Sequence, residues 1–208
     1  MPANYKNFID LIIKTKVARF GKFVLKSGKV SDVFFDFGQI YYGSDLLQLG
    51  KYYAEFIFNN SLYDVDVLFG PAYKGINIAI ATSIALFNEY GISIPFVYNR
   101  KTPKKHAEGG NFVGYPLSLA KSVLIVDDVF TDGGTKYEII NLLSQFKQLK
   151  IKGIVVGIDR QEVDENGELY SKIFMKNTGI KLYSITTKEE VLLYDKQRWY
   201  MGCYEGYY

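Results

Sequence analysis

Hydrophobic positions recur along this chain with two periods, and the change from one to the other marks its elements. Phe8, Leu11, Ile12 and Thr15 fall at helical spacing, so the chain opens with an amphipathic helix. Residues 23–26 and 33–36 are short apolar runs flanking Ser27-Gly28-Lys29, which predicts two strands joined by a glycine-containing turn. From Asp45 the 3.6-residue period returns through Leu46, Leu49, Tyr53 and Ile57. Strands are then expected at 65–69, 94–98, 123–127, 154–159 and 182–185, and helices at 76–87 and 136–146. Thr187 and Glu190 form a capping box for a last helix through Leu192 and Leu193. Strands alternating with helices make an α/β fold, with a mainly parallel sheet covered on both faces and ligands at the carboxyl ends of its strands.

Composition narrows the class without naming a function. The 208 residues suffice for one substantial core, or for a core with a small lobe, and 48% hydrophobic with 23% charged residues describes an ordinary soluble globular protein. A net charge of +3 is too small to argue for nucleic acid. Its distribution matters more: Arg100, Lys101, Lys104 and Lys105 crowd into six positions, a density suited to a small polyanion. The single cysteine excludes an intrachain disulfide and a multi-cysteine metal site, and no apolar window reaches membrane-spanning length. A cytoplasmic protein is expected, without membrane or nucleic-acid partners. Eighteen tyrosines and fifteen phenylalanines are scattered rather than periodic, and the Tyr-rich tail at 199–208 has no readable function.

The chemistry gathers at strand ends. Val123 to Val126 is an apolar run of the kind buried on both faces of a parallel sheet, followed by Asp127 and Asp128 and then by Thr131-Asp132-Gly133-Gly134-Thr135. Paired glycines before a helix let backbone N–H groups converge on an anion, and the helix N-terminus adds partial positive charge. The carboxylates would repel a phosphate unless they faced sugar hydroxyls or a cation. A phosphate loop and an ordinary strand-to-helix turn both remain open, since neither common nucleotide-loop motif is present. Tyr73 and Lys74 occupy a second such junction, where the lysine either holds a phosphate or is merely exposed. The segment 100–110, which contains His106, has almost no apolar anchor. Either it closes over an anionic ligand or it is a solvated basic loop. Arg160, ending the strand at 154–159, can grip a carboxylate bidentately or pair with Asp159 or Glu162.

Taken together, FGKFVLKSGKVSDVFF from Phe20, LFGPAYKGI from Leu68, RKTPKKHAEGG from Arg100, VLIVDDVFTDGGT from Val123 and DRQE from Asp159 resemble the type I phosphoribosyltransferases. Among these they resemble the orotate phosphoribosyltransferases. The resemblance runs from near Phe8 to about Ile185 and implies one domain over 1–208. Its core would span about 43–180, under a hood lobe from about 1–42 and the C-terminal region. It implies transfer of phosphoribose from 5-phospho-α-D-ribose 1-diphosphate to orotate, with Mg2+ bound mainly through the diphosphate. By it, residues 131–135 cradle the 5′-phosphate, with Val129 and Phe130 alongside, and Asp127 and Asp128 face the ribose hydroxyls. Tyr73 and Lys74 hold pyrophosphate. Arg100, Lys104 and His106 reach into the neighbouring site of a homodimer, while Lys101 serves its own and joins the two aspartates as catalytic. Lys26, Phe34, Phe35, Thr131 and Arg160 match orotate or hood contacts, Lys26 also meeting the diphosphate. Pro103 and Lys105 depart from the pattern, leaving open whether Lys104 or Lys105 touches pyrophosphate. A phosphoribosyltransferase for another base and a non-catalytic phosphoribosyl-diphosphate sensor are the alternatives.

Overall fold

A computed structural model describes residues 4–24, 28, 30–102 and 111–204. Helix α1 (Asn4–Lys14) leads into β1 (Ala18–Val24) and β2 (Val30–Phe35), an antiparallel hairpin forming a two-stranded sheet of its own. The first strand begins earlier than expected because Ala18 pairs with Phe35 and Arg19 with Phe34. A bulge between Phe20 and Phe23, with Gly21 at φ 141°, absorbs the irregularity. Of the expected turn, Ser27 and Lys29 lie outside the described residues.

A 3-10 turn (Phe37–Gln39) and α2 (Gly43–Asn59) precede the main sheet. There follow β3 (Val67–Phe69), α3 (Lys74–Tyr90), β4 (Phe96–Asn99), β5 (Phe112–Gly114), β6 (Ser122–Phe130), α4 (Gly134–Leu143), β7 (Lys150–Asp159), α5 (Tyr170–Thr178), β8 (Leu182–Thr187) and α6 (Lys188–Tyr204). The six strands lie in the order β5-β4-β3-β6-β7-β8, parallel throughout except for the antiparallel β4–β5 edge. The α/β expectation is met. From β3 the chain first moves outward to β4, then returns to β6 and proceeds the other way through β7 and β8. The order therefore reverses between β3 and β6, where a doubly wound sheet opens a crevice at its carboxyl edge.

Two elements escape the hydrophobic pattern. β5 is three residues long, and α5 buries only Ser171 and Phe174, so neither gives a readable period. β6 runs past Asp127 to Phe130 because its ladder with β7 continues to Phe130–Asp159. Helix α4 stops at Leu143, short of the expected 146, and its closing amide at Ser144 bonds back to Ile140 and Asn141.

The apolar run of β6 packs two cores, as strand alternation requires. Leu124 and Val126 join Tyr53, Ile57, Ile78 and Leu86 on the face of α2 and α3. Val123 and Ile125 join Ile139, Leu143 and Phe174 on the face of α4 and α5. The capping box is present: Glu190 Oε2 accepts from the Thr187 amide at 2.9 Å, and Thr187 Oγ1 accepts from the Glu190 amide at 3.3 Å. Among the described residues no helix is long and apolar enough to cross a membrane.

Candidate active site

The β3–α3 junction closes through contacts that only glycine permits. A Cβ on Gly70 would lie 2.1 Å from the Gly75 carbonyl oxygen, and one on Gly75 would lie 2.5 Å from Pro71 Cδ. The turn is tied to the end of β4, where the Ala72 amide donates to Asn99 Oδ1 at 2.9 Å. It delivers Tyr73 and Lys74 to the crevice at the start of α3.

On β6 the pleat separates the two carboxylates. Asp127 continues the Val123–Ile125 face and meets Lys136 in the first turn of α4, whose Nζ donates to Asp127 Oδ2 and, at 3.0 Å, to the Val129 carbonyl. Both side chains of this ion pair are almost fully buried, 8% exposed for Asp127 and 5% for Lys136. Asp128 continues the Leu124–Val126 face and meets Lys74 of α3 at 3.5 Å, while its Oδ1 accepts from the Val129 amide at 2.8 Å. Behind the strand, the Tyr53 hydroxyl donates to the Asp127 carbonyl at 2.7 Å, and burial pushes that phenol well above its ordinary pKa.

Lys74 is shared. Its Nζ also donates to Asp36 Oδ1 at 3.0 Å, so a residue following the hairpin is joined to the core sheet. Asp36 further accepts from Gln39 Nε2 at 2.9 Å and the Gly38 amide at 3.0 Å. Hydrogen bonds from Gln39 and Lys74 outweigh desolvation and hold Asp36 down at about 2, from 3.8. Burial alone pulls Lys74 down, but Asp36 and Asp128 together carry it above its usual value. Asp128 is raised, first by burial and then by the charge of Asp127, against the pull of Lys136 and Lys74.

After Phe130 the chain turns into α4 through Gly133 at φ 85°, a conformation glycine adopts without strain. Phe130 itself packs edge-on against Phe174 in the core, so its side chain is structural. The Gly134 amide donates to Asp132 Oδ1 at 2.9 Å, an acceptor supplied by the loop's own carboxylate. The surrounding cleft has a volume of about 300 Å³ and is lined by residues 71–74, 127–131, Gly133, Thr135 and Lys136. Tyr73, Lys74, Asp127, Asp128, Val129, Phe130, Thr131, Gly133 and Thr135 are thus brought together as expected.

Other expected residues stand outside this lining. Asp132 and Gly134 are not among the residues that line it. The Arg100 amide closes the base of the basic segment on the Asn111 carbonyl at 2.7 Å, and Lys101 Nζ sits 5.6 Å from the Tyr73 ring centroid. Phe34 and Phe35 point to opposite faces of β2: Phe35 is buried in the core, whereas Phe34 packs on Phe23. Arg160 Nη2 lies 3.1 Å from Glu162 Oε1, yet Nε and Nη2 are buried with no hydrogen-bond partner among the described residues. The Arg160 amide donates to the Phe130 carbonyl at 3.0 Å, which keeps it beside the loop. Lys26, Lys104, Lys105 and His106 lie outside the described residues.

Sequence reasoning missed Lys136 and Asp36. Lys136 falls three residues before Ile139 and seven before Leu143, so a cation in the buried stripe of α4 was a legible signal. Nothing local links Asp36 to Lys74.

Residues 36–182 match the model of the phosphoribosyl transferase domain family. An orotate phosphoribosyltransferase of Buchnera aphidicola subsp. Baizongia pistaciae is 38% identical over 96% of this chain and 96% of its own. That of Pseudomonas fluorescens is 42% identical over 92% of this chain and 88% of its own. The crystal structure of orotate phosphoribosyltransferase from Francisella tularensis superposes with a TM-score of 0.78 at 37% identity, over 92% of this chain and 90% of that one. With the reversal-point cleft, its glycine-closed junction and the acidic strand end, these likenesses show that the chain belongs to the orotate phosphoribosyltransferases of the phosphoribosyl transferase family.

Proposed function

We propose that this chain transfers the phosphoribosyl group of 5-phospho-α-D-ribose 1-diphosphate to orotate, giving orotidine 5′-phosphate and pyrophosphate in pyrimidine nucleotide synthesis. The observation that carries the reading is the cleft in which Thr131, Gly133, Thr135, Asp128 and Lys74 meet at the reversal of strand order. Residues 131–135 suit the 5′-phosphate, since they lead into the N-terminus of α4, whose first amides have no acceptor within the helix and whose Gly134 N–H is capped by Asp132. Asp128 suits the sugar hydroxyls. Lys74, with Tyr73 and Lys101 beside it, suits the departing diphosphate. Arg160, ion-paired with Glu162 at 3.1 Å but with Nε and Nη2 lacking hydrogen bonds among the described residues, suits the carboxylate of orotate, and Phe34, Phe35 and Lys26 complete the hood side.

Breaking C1′–O builds positive charge on the ribose and negative charge on pyrophosphate, so no protein nucleophile is required. The protein acts by holding the reactants in line, meeting the leaving group with fixed cations and excluding water from the activated sugar. Among the described residues no group of three or more His, Cys, Asp or Glu side chains is disposed to hold a metal. Mg2+ would therefore be held mainly through the oxygens of the diphosphate rather than by a dedicated set of side chains among the described residues. When bound there, Mg2+ supplies charge neutralisation on the diphosphate.

A homodimer is the proposed working unit, with Arg100, Lys104 and His106 serving the neighbouring site. The exposed side of α3, where Ile84 is 50% and Phe87 60% accessible, supports this as a surface suited to apolar contact. Charged, water-soluble substrates favour a cytoplasmic location. The test is loss of orotate absorbance on adding phosphoribosyl diphosphate and Mg2+, with uracil and hypoxanthine as controls. Turnover of either control without turnover of orotate overturns the assignment.

A further inference from the structure

We infer that Lys136 is a positioning residue that takes Asp127 for itself, leaving Asp128 as the sugar-facing carboxylate of the pair. The inference deepens the proposed reaction and rests on it. Adjacent aspartates at the end of a strand look equivalent in sequence, but the pleat sends them to opposite faces of the sheet. Each face offers one lysine from the first turn of its helix, Lys136 of α4 for Asp127 and Lys74 of α3 for Asp128. The lysines differ sharply: the Lys136 side chain is 5% exposed and that of Lys74 44%, while the carboxylates are closer, 8% for Asp127 and 13% for Asp128.

A buried ammonium persists only with close acceptors. Lys136 finds two, the Asp127 carboxylate and the Val129 carbonyl. Both belong to the stretch of β6 that enters loop 130–135, while Lys136 belongs to the helix that leaves it. The lysine thus clasps the two ends of the phosphate loop. Removing one partner of such a pair leaves the other buried and uncompensated, whereas removing both does not.

The clasp also sets the field at Asp128. The charged and titratable groups facing Asp128 are Asp127 on its own strand, Lys136 from α4, Lys74 from α3, Asp36 behind Lys74, and the Tyr53 hydroxyl from α2. Asp127 raises the Asp128 pKa and Lys136 lowers it. Deleting Lys136 alone therefore leaves repulsion without its counterweight, and deleting the pair removes both.

The experiment compares wild type, Lys136→Met, Asp127→Asn, the double variant and Asp128→Asn by kcat, KM for phosphoribosyl diphosphate, and the acid limb of kcat/KM against pH. Substrate ionisations are common to all five. Lys136→Met is expected to raise KM at least about tenfold and to move the acid limb upward by about half a unit or more. The double variant is expected to return the limb towards wild type and to recover about tenfold in kcat/KM over Lys136→Met. A purely structural lysine lowers thermal stability without moving the limb. Should Lys136→Met fail to fold, the double variant, which strands no charge, is compared with Asp128→Asn and is expected to be clearly more active. An unmoved limb in the folded variants, or a double variant as inactive as Asp128→Asn, overturns the inference. Wild-type turnover of orotate is measured first. Its absence overturns the proposed reaction and not the pairing, which is then read from the pH dependence of phosphoribosyl diphosphate binding.

Discussion

Replacing Asp36 by Asn tests the join between the hairpin and the sheet. Asp36 receives hydrogen bonds from Gln39, Lys74 and Gly38 and is depressed from 3.8 to about 2. A depressed carboxylate contributes stability that is fully present above its unfolded pKa and is lost as pH falls towards its folded one. At about 1.4 kcal/mol per unit, the shift from 3.8 to about 2 corresponds to roughly 2.5 kcal/mol before screening. The side chain is 25% exposed at the mouth of a solvated cleft, so water reduces the contribution to about 1–2 kcal/mol. Asp36→Asn is expected to lose that amount near neutral pH, a fall in Tm of about 2–8 °C for a chain of this size. The gap to wild type should hold from neutral pH down to about 5 and narrow as pH falls through 3.8 towards 2, because only wild type loses the interaction on acidification. Urea midpoints of both proteins at a series of pH values measure it. A gap that is absent, or that persists unchanged into the acid range, refutes the reasoning.

Three further outcomes are expected at the cleft. Asp132 Oδ1 occupies the Gly134 N–H at the entrance to α4. Asp132→Ala should therefore lower KM for phosphoribosyl diphosphate about two- to fivefold by removing a competing negative charge, and initial rates showing a raised KM would contradict this. Lys101→Ala should lower kcat about a hundredfold through loss of one fixed charge contact, about 3 kcal/mol; an unchanged kcat at saturating substrates and Mg2+ removes that lysine from the chemistry. Mixing inactive Asp128→Asn with a chain inactivated by Lys104→Ala and Lys105→Ala together and allowing subunits to exchange should restore activity, because each mixed dimer gains one intact site. Absence of recovery in a verified exchange argues against a shared loop.

Much of the fold was legible because burial on both faces of a parallel sheet writes itself as short apolar runs, as at residues 123–126, and because glycine pairs mark the strand-to-helix turns. The position of the site followed, since a doubly wound sheet has one useful edge. Even the splitting of Asp127 from Asp128 was implicit in the alternation of β6, as was the oddity of Lys136 in the apolar stripe of α4. The short β5 and α5 were not legible, because three residues and a nine-residue helix with two buried positions carry no period. Tertiary structure alone decided which charges meet. Asp36 reaches Lys74 across 38 positions of sequence, Arg160 settles beside the Phe130 carbonyl through strand register, and Tyr53 supports the Asp127 carbonyl across 74 positions. Local pattern records what each segment buries. Pairing between distant segments depends on how strands order and helices cross, and that information belongs to the packed chain.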